Sequence, residues 1–309
     1  MRVLITEFMD EAAVASLAAR YATHYDKDLV DRRDELIAAI DAADALIVRN
    51  RTQVDAELLA AAPKLSVVGR LGVGLDNIDV DACRARGIEV IPATGANALA
   101  VAEYVIGSAM LLLRGAYQST PAVAEGKWPR GPLSNGREIA GKTLGVVGFG
   151  GIGRLAAQLA RGLSMRVIGY DPRLPASSPL WADESAVPRT LAEVLAEADV
   201  ITLHVPLTPT TRNLIDAARL STMKRDAILI NTARGGVVDE AALAAALKSG
   251  ALGGAALDVF DREPLPAGSP LAGCPNLLLT PHIAGVSREA NARVSTMIAD
   301  RVAAHLSGH

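Results

Sequence analysis

With 309 residues the chain is long enough for two domains of ordinary size, and half of those residues are apolar, enough to bury a large core. The formal net charge of −3 comes without any block of like charges, which excludes the electrostatic footprint of a nucleic-acid binder. The two cysteines, Cys83 and Cys274, stand far apart with no CxxC spacing, so neither a disulfide framework nor a metal site is expected, and their sparsity fits a reducing, cytoplasmic setting.

In chain order, the opening MRVLITE reads as a short strand (2–6) rather than a targeting segment. Further strands are expected at 45–48, 66–69 and 89–91, with helical patterns between them at 30–40 and 54–61. A long helical pattern follows at 98–114; its apolar run is interrupted by Glu103 and is too short to span a bilayer, so no membrane partner is expected. The stretch 117–136 holds Pro121, Pro129, Pro132 and several glycines and reads as an irregular arm, either a loop over a site or a subunit contact. From Thr143 the alternation resumes, with strands expected at 144–147, 166–170, 200–204, 227–231, 254–258 and 277–280 and a last helix at 289–306. Strands alternating with helices imply parallel sheets covered on both faces. Two such runs predict an α/β protein with two doubly wound parallel-sheet domains, the final helix returning to the first of them.

The second run opens with the most informative segment, TLGVVGFGGIGRLAAQLARGLSMRVIGYDP. An apolar strand leads into Gly148-x-Gly150-x-x-Gly153, a helix follows, and a second strand ends on Asp171, 18 residues past Gly153. Glycines make the tight turn and let backbone approach a pyrophosphate, and the helix N-terminus offers unpaired N–H groups. The acid stands where a carboxylate meets an adenosine ribose diol and repels a 2′-phosphate, which favours NAD over NADP, although Arg173 is a cation close enough to tolerate a phosphate.

Ligands of open α/β sheets bind beyond the carboxyl ends of the strands. Three such ends carry chemistry: AILINTARGGVVD with Arg234, AALDVFDREPL with Asp258 and Glu263, and LLLTPHIAG with His282. Taken singly, Arg234 suits a surface turn, Glu263 a solvated loop and His282 a structural role. Following a dinucleotide turn, the three suit one site.

These motifs carry a resemblance that runs over essentially the whole chain. GRLGVGLDNID (69–79), GFGGIG, HVPLTPTTRNLI (204–215), NTARGGVVDEAAL (231–243), GAALDVFDREPL (254–265) and LLLTPHIAG (277–285) resemble the D-isomer-specific 2-hydroxyacid dehydrogenases, most closely the phosphoglycerate and sulfolactate dehydrogenase-like branch. The resemblance implies a Rossmann cofactor domain (96–282, carrying the arm) inserted into a flavodoxin-like substrate domain (1–95 plus 283–309). It implies Arg234, Glu263 and His282 as the catalytic set, with hydride transfer between nicotinamide and C2 of a 2-hydroxy or 2-keto acid. His282 would exchange the proton, Glu263 would favour its imidazolium form, and Arg234 would bind the substrate carboxylate. Glutamate rather than glutamine at 263 argues against the formate-oxidising branch. On the cofactor side the resemblance implies Gly148, Gly150, Gly151, Ile152, Gly153, Asp171, Val205, Thr232, Ala233, Arg234, Asp258, His282 and Gly285, with Ile152 at the pyrophosphate and Asp258 accepting from the carboxamide.

On the substrate side it implies Val73, Gly74 and Asn97, together with Arg49, Arg70 and Arg130, whose matching arginines meet a phosphate in the phosphoglycerate branch, the last from across a homodimer. Local salt bridges are the alternative use of Arg49 and Arg70. Guanidinium groups suit a second substrate anion, as in 3-phosphoglycerate or (S)-3-sulfolactate, whereas a smaller acid such as hydroxypyruvate or glyoxylate would not need them. The sequence ends at His309 without the tail of many biosynthetic phosphoglycerate dehydrogenases, which favours a catabolic role. An NAD(H)-sensing, corepressor-like protein is the reading from another class.

Overall fold

Runs of four or five apolar residues, many of them buried on both faces, form the strands of two sheets in which every pair is parallel. A computed structural model describes residues 1–308; residue 309, the last of the segment 283–309, lies outside the described residues. The chain divides into two compact units, Met1–Asn97 with Val286–His309, and Ala98–Gly285. No helix among the described residues is long and apolar enough to cross a membrane.

The first unit holds β1 (Arg2–Ile5), β2 (Ala22–Tyr25), β3 (Ala45–Val48), β4 (Val67–Arg70) and β5 (Glu89–Pro92) in the order β2-β1-β3-β4-β5, the flavodoxin-like arrangement. One face is covered by the helix Arg288–Ser307, whose Val294, Ile298, Val302 and Leu306 join Val3, Ile5, Ile47 and Val67 in one core. Gly69 lets this helix lie close, since a Cβ there would stand 2.7 Å from Ile298 Cγ2 and 2.9 Å from Val302 Cγ2. The opposite core gathers Leu4, Leu46, Val48 and Val68 beneath Leu36, Ile40, Leu58 and Leu59.

The second unit holds β6 (Thr143–Val147), β7 (Arg166–Tyr170), β8 (Val187–Pro188), β9 (Val200–Leu203), β10 (Ile228–Asn231), β11 (Gly254–Leu257) and β12 (Leu277–Leu279), ordered β12-β11-β10-β9-β6-β7-β8. Read outward from β6, this is the Rossmann order with one added strand, and it reverses between β6 and β9. Helices Ala98–Arg114 and Gly151–Gly162 bury one face; Leu191–Glu197, Ala217–Thr222 and Glu240–Lys248 bury the other.

Two strands escaped the sequence pattern. ATHY of β2 alternates exposed and half-buried positions at a sheet edge, and β8 is a two-residue edge pairing. The helix expected at 30–40 is broken at Arg32 (φ −124°, ψ 73°) into a 3₁₀ turn, Leu29–Asp31, and a helix, Arg33–Ile40. The arm is less irregular than expected, with short helical turns at Ala116–Ser119, Thr120–Ala124 and Pro132–Asn135.

His204 follows β9, its Nε2 3.0 Å from Thr202 Oγ1, and desolvation pulls its pKa down from 6.5 to about 4. Between those values the unfolded chain binds a proton that the folded chain does not, so stability falls as pH drops. Tm should therefore decline from pH 6.5 toward 4, and a His204→Asn variant should decline less over that window; parallel Tm profiles would refute the assignment.

Candidate active site

Because the strands of the second unit are parallel, their carboxyl ends open on one edge of the sheet. That edge receives Gly148 after β6, Asp171 after β7, Val205 after β9, Thr232, Ala233 and Arg234 after β10, Asp258 after β11 and His282 after β12. The turn after β6 is backbone packed on backbone. Gly148 adopts φ 94°, and a Cβ on it would stand 2.5 Å from the His204 carbonyl oxygen; a Cβ on Gly153 would stand 2.3 Å from the Gly148 oxygen. Gly150 and Gly151 differ: beyond the adjoining chain, no described atom comes within 4 Å of a Cβ position on either. The first N–H groups of the helix Gly151–Gly162, on Gly151, Ile152 and Gly153, have no carbonyl within the helix to pair with. This open, donor-rich cradle fits a pyrophosphate. Asp171 is fixed beside it, Oδ2 accepting from Phe149 N at 2.9 Å and Oδ1 from Arg173 N at 2.9 Å.

At the end of β10 the buried Asn231 shapes the turn: its Oδ1 accepts from Ala233 N and its Nδ2 donates to Arg234 O, both at 3.0 Å. Thr232 Oγ1 is buried there without a hydrogen-bond partner among the described residues, an orphan that a ligand can satisfy. Arg234 is steered by its own turn, Nη1 donating to Ala233 O at 2.7 Å.

Glu263 and His282 meet directly. Glu263 Oε1 accepts from Phe260 N at 3.0 Å, and Oε2 lies 2.8 Å from His282 Nδ1. A carboxylate only accepts, so Nδ1 carries the proton and Nε2 is left to give or take one. His282 has φ 57°, a left-handed backbone, and donates its N–H to Asp258 O at 2.8 Å. The Asp258 carboxylate, 1% exposed, takes Thr280 Oγ1 at 2.6 Å and Ile283 N at 2.8 Å on Oδ1, and Ala284 N at 2.8 Å on Oδ2. Expected only to meet a carboxamide, this carboxylate also braces the loop that carries His282 to Gly285.

In the first unit, Arg49 follows β3 and Arg70 ends β4. Among the described residues Arg49 makes no local salt bridge: Nη2 donates to Asn291 Oδ1 at 2.7 Å, and the guanidinium lies 5.7 Å from the Phe8 ring centroid. Burial pulls its pKa down, only partly offset by Glu7. The buried Glu7 carboxylate is engaged by the backbone N–H groups of Arg49, Asn50, Arg51 and Thr52 at 2.8–3.3 Å. Arg70 Nη1 donates back to Leu71 O at 2.9 Å. Val73 is exposed, Gly74 half-buried, and Asn97 Oδ1 is buried without a partner among the described residues. Arg130 lies in the arm of the second unit beside Trp128, which is 78% exposed. Glu7, Phe8 and Asn291 lie outside the quoted motifs, and Asn231 and Thr280 lie within them without having been singled out; each acts by holding a motif residue.

Residues 106–284 match the family model for the D-isomer specific 2-hydroxyacid dehydrogenase NAD-binding domain. The chain is 55% identical to the (S)-sulfolactate dehydrogenase of Chromohalobacter salexigens over 97% of its own length and 96% of that protein. It is 43% identical over 99% of its length to the D-3-phosphoglycerate dehydrogenase of Mycobacterium tuberculosis, of which it spans 57%. Among solved structures it is similar to a glyoxylate reductase from Paecilomyes thermophila, with a TM-score of 0.87, 30% identity, and coverage of 99% of this chain and 95% of that one. With its open glycine cradle and paired Glu263 and His282, the chain belongs to the D-isomer-specific 2-hydroxyacid dehydrogenases and carries their NAD-binding domain.

Proposed function

We propose that the protein interconverts a small D-type 2-hydroxy acid bearing a second anionic group with its 2-keto acid, using NAD, and that (S)-3-sulfolactate or a close isostere such as 3-phosphoglycerate is the substrate. The 2.8 Å contact between His282 and Glu263 carries the reaction. Bound NAD supplies the acceptor for the C2 hydrogen and its electron pair. As the C2–O bond becomes a carbonyl, the hydroxyl proton passes to His282 Nε2; Glu263, on Nδ1, stabilises the imidazolium that results. Arg234 pairs with the substrate carboxylate and polarises the C2 oxygen. Reduction runs the same steps in reverse. The cofactor is held by the Gly148–Gly153 turn through the N–H groups of Ile152 and its neighbours, by Asp171 at the ribose, by Val205 beside the adenosine, and by Thr232, Ala233, Asp258 and Gly285 at the nicotinamide end.

Arg49 carries the choice of acid. A guanidinium drawn out of water that meets an amide oxygen and an aromatic ring retains its charge for a ligand, and a sulfonate or phosphate is the complement. The 55% identity to an (S)-sulfolactate dehydrogenase supports the sulfonate. We assign Arg70, Val73, Gly74 and Asn97 to the same substrate, the substrate-binding role to the first unit and the cofactor role to the second. The exposed Trp128 and Val123 of the arm support a homodimer in which Arg130 serves a neighbouring subunit. A cytoplasmic location suits an NAD-dependent reaction and two unpaired cysteines.

A His282→Ala variant should lose about two to four orders of magnitude in kcat while still quenching or enhancing NADH fluorescence on binding. Near-normal turnover would remove His282 from the reaction, and a wild-type protein that binds NADH yet reduces no 2-keto acid would be a sensor rather than an enzyme. With NADH and a panel of sulfopyruvate, phosphohydroxypyruvate, hydroxypyruvate and glyoxylate, kcat/KM should be highest for a doubly charged acid. Arg49→Ala should lower it for those acids by about tenfold or more, matching the loss of a charged hydrogen bond, and hardly for glyoxylate. Equal losses across the panel would count against a second-anion site.

A further inference from the structure

Helix Ala98–Arg114 lies against the sheet of the second unit, and its Tyr104 reaches the strand-end loop through Thr280. The Tyr104 hydroxyl is 2.6 Å from Thr280 Oγ1, and Thr280 Oγ1 is 2.6 Å from Asp258 Oδ1. The proton order along this chain is forced. The Asp258 carboxylate already takes two backbone N–H groups and has no proton to give, so the single Thr280 proton points at Asp258. The Thr280 oxygen then accepts, and Tyr104 donates. Burial, together with the nearby Asp258 charge, raises the Tyr104 pKa, which keeps the phenol a donor.

What the relay holds is the backbone on which His282 sits. Asp258 accepts from Ile283 N and Ala284 N with its carboxylate and from His282 N with its carbonyl, so all three amides after Pro281 are tied to one residue. His282 is in the left-handed region, where a residue with a side chain remains only if its surroundings hold it there. A carboxylate free to rotate would release two of those three ties.

We infer that Tyr104, acting through Thr280 and Asp258, is a positioning residue for His282. The inference rests on the assignment of His282 as the proton-exchanging group. Tyr104 contacts the loop through a hydroxyl and touches no reacting atom, so its loss should appear in the step that needs the imidazole aligned rather than in substrate capture.

The test compares the full-length wild type with Tyr104→Phe, Thr280→Val and the double variant. Tyr104→Phe should lower kcat about three- to tenfold, the worth of one hydrogen bond in such a network, with the keto-acid KM little changed. The double variant should be no slower than Thr280→Val alone, because the two hydroxyls act in series. Thr280→Ser, which keeps the hydroxyl, should restore most of the rate. Independently of turnover, amide hydrogen exchange at Ile283 and Ala284 should quicken several-fold in Tyr104→Phe while β6 and β9 stay protected. A lower Tm with unchanged kcat and unchanged exchange at 283–284 would reduce Tyr104 to a packing residue and overturn the inference. So would independent, multiplying losses in the double variant. If the wild type binds NADH without turning over any keto acid, the dehydrogenase reading fails, and the exchange measurement still decides the relay.

Discussion

A parallel strand cannot hairpin back; the chain must cross over and re-enter from the same side. Every strand of both sheets obeys this constraint, and the functional layout follows from it. Residues distant in sequence, from Gly148 to His282, are delivered to one edge of one sheet because each stands just past the carboxyl end of its strand. The same geometry sets Glu7, Arg49 and Arg70 at the strand ends of the first unit. Neither sheet needs special chemistry to gather these groups; each needs only apolar strands and helices able to cover both faces.

Within that layout, buried carboxylates serve as fasteners. Glu7 gathers four successive backbone N–H groups and so shapes the loop that starts at Arg49. Asp258 gathers the loop after β12 in a similar way. Each sits almost fully out of water, a costly place for a charge unless its lone pairs are filled, and backbone donors fill them. A buried acid beside a strand end thus converts a flexible connection into a defined one, and the arginine or histidine carried on it acquires a fixed direction.

The sequence displayed the parts of this protein that repeat a physical pattern. Apolar runs announced ten of the strands, the helix Ala98–Arg114 stood out by period, Gly148 and Gly153 were legible because close backbone approach demands glycine there, and Asp171 by its place at a strand end past that turn. Arg234, Glu263 and His282 stood out through their motifs, and the structure brings Glu263 and His282 into contact. Residues whose work depends on a partner far along the chain left no trace: Asn291 meets Arg49 from 242 positions away, and Tyr104 meets Thr280 from 176. The edge strands β2 and β8 were missed for a different reason, since a strand with one side open to solvent has no need of an apolar run.

The close seat of helix Arg288–Ser307 against Gly69 has a consequence for biosynthesis. All five strands of the first unit precede the inserted unit in the chain, yet one face of their sheet, with Val3, Ile5, Ile47 and Val67, is covered by Ile298, Val302 and Leu306. That face stays bare until residues 288–307 have left the ribosome, after the whole Ala98–Gly285 unit has been made. The N-terminal sheet therefore cannot bury this face until the last helix has been made, whereas the inserted unit has all of its own chain before then.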